Sequence, residues 1–348
     1  MKKVVYFIMK RVAWITVHSF FSKVEIVGAE RIPRGRPLIF TPNHQNAFLD
    51  AFVVGSISPV GIHYLTRSDV FNNPFRWFMD ALQMMPIYRI RDGFGQLSQN
   101  AGVFEACRKL FSQDKSVLMF PEGNHGEHHF LRSLSKGTAR LAFESQEILS
   151  DKEIWIQPVG LNYFDLRRPG RKMSIVFGEP IRLNDHMPAY HEHKAKALLQ
   201  FRTLMAERMK DCMMIPDQDE HFEARVSHLT RANESMKFPA LKKYLQGATE
   251  PAPAPNKVPF LRYLGQLLGW INFPPLYVIS SVLKSKVKDI VFTSSIKWAI
   301  GMILFPIWWL LMYTTIALIS GAQLALIVTL SAIVLLFIRR DLLQLADP

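Results

Sequence analysis

The sequence predicts an α/β domain with a mixed, largely parallel sheet flanked by helices, followed by a transmembrane helical hairpin. Two observations carry this. From Lys23 to about residue 215, short apolar runs alternate with helix-length segments. Further on, no charged residue occurs between Lys297 and Arg339. Whole-chain averages hide that division: 49% of the 348 residues are hydrophobic, yet the net charge is +13. The 25 Phe, 7 Trp and 15 Met supply ample core and exclude a disordered chain. Cys107 and Cys212 are too few for a disulfide scaffold and read as reduced core thiols. The basic excess asks for an anionic partner, either nucleic acid or a membrane surface.

Residues 1–22 place Val4, Ile8, Val12 and Ile15 on one helical stripe beside Lys2, Lys3, Lys10 and Arg11. They lack the long apolar stretch and cleavage site of a signal peptide. An amphipathic membrane-associating helix fits them, as does a helix packed on the domain. Strands are expected at Lys23–Gly28, Leu38–Thr41, Ile62–Leu65, Val117–Phe120, Ile154–Val159 and Met173–Phe177. Helices are expected at Gly93–Phe111, Lys136–Leu149 and His191–Met209, making residues 23–215 the α/β domain. Residues 216–257 form a polar helical segment that ends in a Pro/Ala linker, Thr249–Asn256.

Residues 258–348 form the membrane module. Within it, 259–283 is apolar but contains Arg262, Pro274 and Pro275, which suits an interfacial or re-entrant pair of short helices. As one helix, the uncharged run that follows would be about 60 Å long, twice a bilayer core. It therefore divides into spans 298–318 and 322–338, with the turn at Ser320-Gly321. Lys284, Lys286, Lys288 and Lys297 flank one end, and Arg339 and Arg340 the other. By the positive-inside rule both ends, and the α/β domain, face the cytoplasm.

Three segments could carry chemistry. His44 follows the strand Leu38–Thr41, at the carboxyl edge where α/β sites form, and Asp50 lies close enough for its carboxylate to fold back on the imidazole. A histidine held by an aspartate can act as a general base, although from this pair alone a helix-capping turn is the favoured account of His44. A second strand runs into Pro121-Glu122-Gly123, presenting a carboxylate and a backbone open to ligand approach. Lys136 then opens a helix, where a cation and free N–H groups suit an anion. Arg89 and Arg91 follow Pro86 at a strand end and could grip phosphate with paired hydrogen bonds. The group His125, Glu127, His128 and His129 is too local for the facing geometry of a metal site. No aromatic-interleaved basic module for nucleic acid is present, so the membrane accounts for the charge more economically.

These segments together resemble the glycerolipid acyltransferases, which act on glycerol-3-phosphate or lysophosphatidic acid. His44…Asp50 is similar to the family's first motif, Pro86–Arg89 to the second, Phe120–Gly123 to the third and Gln157–Val159 to the fourth, over residues 30 to 180 or so. Two departures stand out. Five residues rather than four separate His44 from Asp50, as in the eukaryote-like glycerol-3-phosphate/dihydroxyacetone-phosphate branch, and the extra residue must bulge at the helix start. The third motif continues Asn124-His125-Gly126 instead of Thr-Arg-Ser.

The resemblance implies a membrane-bound O-acyltransferase of phosphatidic acid and phospholipid biosynthesis. By it His44 would be the base, Asp50 its orienting partner, and Arg89 and Glu122 part of the acceptor site with Lys136 as an addition; the residues on their own add Arg91 and Gly123. The partners implied are an acyl-CoA or acyl carrier protein donor, a glycerol-phosphate acceptor and anionic membrane lipid, with no metal, other cofactor or nucleic acid. A lipid esterase using the same dyad and a non-catalytic membrane scaffold are the competing readings.

Overall fold

The structure, a computed structural model, describes residues 1–71, 76–88, 100–254 and 256–346. The chain opens with α1 (Lys2–Phe20) and β1 (Lys23–Val27), followed by β2 (Leu38–Pro42), α2 (Ala47–Ile57) and β3 (Ile62–Arg67). Next come α3 (Arg76–Ala81), β4 (Met84–Ile87), α4 (Asn100–Phe111), β5 (Ser116–Leu118) and α5 (Gly137–Ile148). The sheet is completed by β6 (Trp155–Tyr163), β7 (Lys172–Phe177) and β8 (Ile181–Arg182). Its order is β1-β7-β6-β2-β5-β3-β4, with β8 against β6. β7 and β8 run antiparallel to β6, while β1–β7, β2–β6, β2–β5, β3–β5 and β3–β4 are parallel. This is the mixed, largely parallel sheet that the sequence pattern predicts.

Central strands read as continuous apolar runs because helices cover both faces. On β2, Ile39 joins one core with Phe104, Phe143 and Phe201, which come from α4, α5 and α7 (Lys194–Asp211). Its neighbours Leu38 and Phe40 join the opposite core with Val17 of α1 and Leu49 and Val53 of α2, as the period of two along a strand requires. β4 is the strand implied before Arg89, for which the sequence pattern set no bounds. Pro86 argues against a strand except at a sheet edge, and β4 is the edge. The helix expected at 191–209 is instead two, α6 (Met187–Glu192) and α7, separated by His193 in a non-helical conformation (φ −145°, ψ 88°). Of the helix expected over 93–111, α4 covers 100–111, and 93–99 lie outside the described residues.

Beyond the sheet, α8 (Phe222–Ser227) and α9 (Phe238–Gln246) bury Phe222, Phe238, Leu241 and Leu245 with Val176 of β7. Cys107 and Cys212 are free and buried, and burial pushes each thiol up to about 12.

The C-terminal helices are α10 (Pro259–Leu268), α11 (Phe273–Lys286), α12 (Phe292–Ser320) and α13 (Ala322–Ala346). The last two are long and apolar enough to cross a membrane, and they break at Gly321, whose φ of 92° suits glycine. Both run past the expected span limits, because α12 begins on the domain itself. Leu310, Leu311, Leu318 and Ile319 of α12 are exposed, as are Leu326, Ile327 and Val334 of α13. The hairpin starts and ends beside the domain. Ser294 donates to the carbonyl of Leu166, Arg340 to that of Ser19 and Gln344 to that of Pro169. Where α10 turns into α11, the buried Asn272 bridges the hairpin, accepting from Trp309 and donating to the carbonyl of Ala332.

Candidate functional site

The site forms at the carboxyl end of β2, in the first of the three segments above. Pro42 closes the strand. The Asn43 side chain then takes over its ladder, donating to the Leu161 carbonyl at 3.0 Å and accepting from the Leu161 N–H at 2.7 Å. This buried amide acts as a surrogate strand residue and fixes where His44 leaves the sheet.

Asp50 comes back from the first turn of α2. Its Oδ2 lies 2.9 Å from His44 Nδ1 and accepts the N–H groups of Gln45 and Asn46, each at 2.8 Å. Its Oδ1 accepts the Tyr163 hydroxyl at 2.6 Å. A carboxylate that already receives three donors can only accept from the imidazole, so His44 carries its proton on Nδ1 and Nε2 is left to act. Asp50 is completely buried, whereas the His44 side chain keeps 14% of its surface. Burial and the Asp50 charge push the Tyr163 phenol well above its ordinary value, which keeps it a donor. Between His44 and Asp50, Ala47 takes a left-handed φ of 45° at the first residue of α2.

The second segment supports the first. The Phe120 ring stacks on the imidazole, with centroids 3.7 Å apart. The buried Glu122 accepts the His44 backbone N–H at 2.8 Å through Oε1 and Arg132 Nε at 2.7 Å through Oε2. Arg132 also donates to the carbonyls of Asn124 and His125, closing the loop into a knot around its guanidinium. Burial pushes the Glu122 carboxyl up, against the pull of Arg132 and the His44 N–H. Expected at the acceptor, Glu122 thus spends both oxygens on its own chain, with 2% of its side chain exposed.

Gly123 is exposed with a φ of 73°, open to approach as its sequence suggests. Lys136 is exposed immediately before α5, tied to this turn by the Ser135 N–H bond to the Pro121 carbonyl at 2.7 Å. Arg89 and Arg91 lie outside the described residues.

The histidine-rich loop disperses. His125 meets His44 edge-on and binds Asp289 through Nε2 at 3.0 Å, while His128 stacks on Phe130. Among the described residues, no three His, Cys, Asp or Glu side chains converge to hold a metal ion.

The sequence reading missed Tyr163, Arg132, Asp289 and Ser295. Tyr163 alone had a readable signal, because the alternation Val159, Leu161, Tyr163 continues β6 on the same core face. The C-terminal segment reaches this loop directly. Ser295 Oγ accepts the Leu49 N–H at 3.0 Å and donates to the Asn46 carbonyl, and Phe292 packs against His125 and Phe48.

Comparison with known proteins bears on this arrangement. Residues 23–162 match the family model described as Acyltransferase. No curated protein sequence matches the chain. Among solved structures, the chain is similar to the 1-acyl-sn-glycerophosphate (LPA) acyltransferase PlsC of Thermotoga maritima, at 16% identity and a TM-score of 0.43. That match covers 60% of this chain and 80% of the other. The matched segment holds β1 to β6 with His44, Asp50, Glu122 and all but one residue of β6, and it gives the chain an acyltransferase domain: the protein is an acyltransferase.

Proposed function

We propose that the protein moves a fatty acyl group from a thioester of CoA or acyl carrier protein to a hydroxyl of glycerol-3-phosphate or its 1-acyl form. This is the chemistry of phosphatidic acid synthesis, performed on the cytoplasmic face of a membrane. One observation carries the mechanism: the buried Asp50 holds His44 by Nδ1 while other donors satisfy its remaining capacity. His44 Nε2 takes the proton of the acceptor hydroxyl as that oxygen attacks the thioester carbonyl. Asp50 stabilises the imidazolium that forms. Collapse of the tetrahedral adduct expels the thiolate, which recovers the proton, and no acyl-enzyme is required. Arg89, Arg91 and Lys136 are the cations assigned to the acceptor phosphate, and Gly123 leaves its own loop backbone open to approach.

Exposed apolar side chains on α12 and α13 support insertion in the bilayer. Val4, Phe7, Ile8 and Ile15, exposed on α1, support its lying on an anionic leaflet beside them.

The test is mass spectrometry of products made by purified full-length protein in proteoliposomes, given both acceptors and both thioesters. Esterified acceptor is expected, and His44→Ala should lower turnover about 10³-fold. Free fatty acid without esterified acceptor would instead indicate a hydrolase. Near-normal turnover in His44→Ala would exclude the base mechanism.

A further inference from the structure

Ser295 lies in the first turn of α12, yet its hydroxyl is used inside the base loop. It accepts the Leu49 N–H at 3.0 Å and donates to the Asn46 carbonyl, with no exposed surface. Those two groups flank Ala47, the left-handed residue between His44 and Asp50. On the other side of Asn46, its N–H is one of the donors that fix Asp50. The Asn46 peptide units are thus held from two directions, by Asp50 from within the loop and by Ser295 from the C-terminal segment.

The seating of α12 is firm around this point. Trp298 is 3% exposed in the core that contains Leu49 and Val53, and its ring lies 4.9 Å from that of Phe52. Ser294 binds the Leu166 carbonyl at 2.6 Å, and Asp289 binds His125, whose ring meets that of His44.

We propose that Ser295 is a positioning residue for the His44–Asp50 pair, so that the first turn of the membrane helix completes the catalytic loop. The inference rests on His44 being the base. Without the Ser295 hydroxyl, the Asn46–Ala47 peptide loses its outer restraint and rotates to relieve the left-handed strain at Ala47. The Asn46 N–H then leaves Asp50, and the imidazole loses its fixed angle to the acceptor hydroxyl. Small misplacements of this kind are costly to turnover.

The experiment compares S295A, S295T and S294A with the wild-type full-length chain in proteoliposomes, measuring kcat, KM for both substrates and the pH dependence of kcat. S295A should lower kcat about 10-fold with both KM values unchanged, and should move the acidic limb of the pH profile, because the His44–Asp50 hydrogen bond is altered. S295T restores the hydroxyl and should recover most of the loss. S294A removes a bond of the same turn that does not reach the loop, and should keep kcat and the pH profile even where its melting temperature falls. Should S295A fail to accumulate, S295C keeps the volume and weakens the bond.

A wild-type kcat in S295A, or the same kcat and pH profile in S294A and S295A, overturns the inference. H44A in the same assay separates the two ideas. An inactive H44A beside a fully active S295A defeats only the role of Ser295, whereas an active H44A defeats the base assignment itself.

Discussion

At Asp50, four donors from four different residues converge on one buried carboxylate, and three of those residues are themselves buried, whereas the His44 side chain keeps exposed surface. The other three set the tautomer by saturating the acceptor, which is the physical content of a held imidazole. His125 is the second titratable ring at the site, and it shows how acid should act there. Burial pulls it below the ordinary 6.5, and the charges of His44 and Arg67 reinforce the shift that the bond to Asp289 opposes. Burial tends to raise Asp289, but the Val291 N–H, His125 and Arg67 outweigh it and hold the group low. As pH falls below 6.5 the unfolded chain takes up the histidine proton first. Stability from the neutral ring is therefore complete above 6.5 and declines as pH falls through the lower folded value. The share held by Asp289 is lost only at more acid pH. Melting temperature is expected to fall between pH 7 and pH 5, and to fall less in His125→Gln, as scanning fluorimetry of the detergent-solubilised protein can check. Equal slopes would show that His125 does not report on this docking.

Local sequence showed the dyad because His44 and Asp50 are only six positions apart. The residues that hold it are not local. Tyr163 lies 113 positions from Asp50, and Ser295 lies 249 positions from Asn46. Alternation along β6 places Tyr163 on a core face without naming its partner, and no periodicity marks Ser295, a polar side chain that becomes significant only when its element is docked. Arg132 is closer, 10 positions from Glu122, but sits in irregular chain where no pattern assigns direction.

Among the elements, the join between β2 and α2 is strained at Ala47, as the turns at Gln83 and Asp114 are. A left-handed alanine costs about 1–2 kcal/mol, and Ala47 keeps that conformation because Asp50, Ser295 and the buried methyl group hold it on all sides. Ala47→Gly should be near neutral, since relief of the strain is offset by the lost methyl burial and by a more flexible unfolded chain. Ala47→Val should cost about 2 kcal/mol or more, because a β-branched residue tolerates this region poorly, and should lower kcat as the loop yields. Chemical denaturation and turnover of the two variants read this directly. The alternation of apolar runs disclosed most strands and the major helices. It stopped short where a single residue overrides pattern: Pro86, which left the edge strand without bounds, and His193, which divides α6 from α7.

For the whole molecule, the division between a charged domain and an uncharged tail was legible from the spacing of Lys297 and Arg339 alone. That the tail is also part of the domain was not legible, because Trp298 reads as membrane until it is found in the core beside Leu49. Full-length protein should remain with liposomes through alkaline carbonate and high salt, as flotation can show. Release by carbonate would mean that the apolar faces of α12 and α13 are covered by something other than lipid.

Trp298 sits in the same core as Val17 and Phe40, although some 280 positions separate the first of these from the tryptophan. A ribosome releases the chain from its N-terminus, so the sheet and its base loop emerge long before the segment that seals that face. Until then the nascent chain holds His44 and Asp50 in an unfinished wall. The loop is therefore completed late in synthesis, and a molecule whose α12 fails to dock leaves an apolar seam open for quality control to recognise.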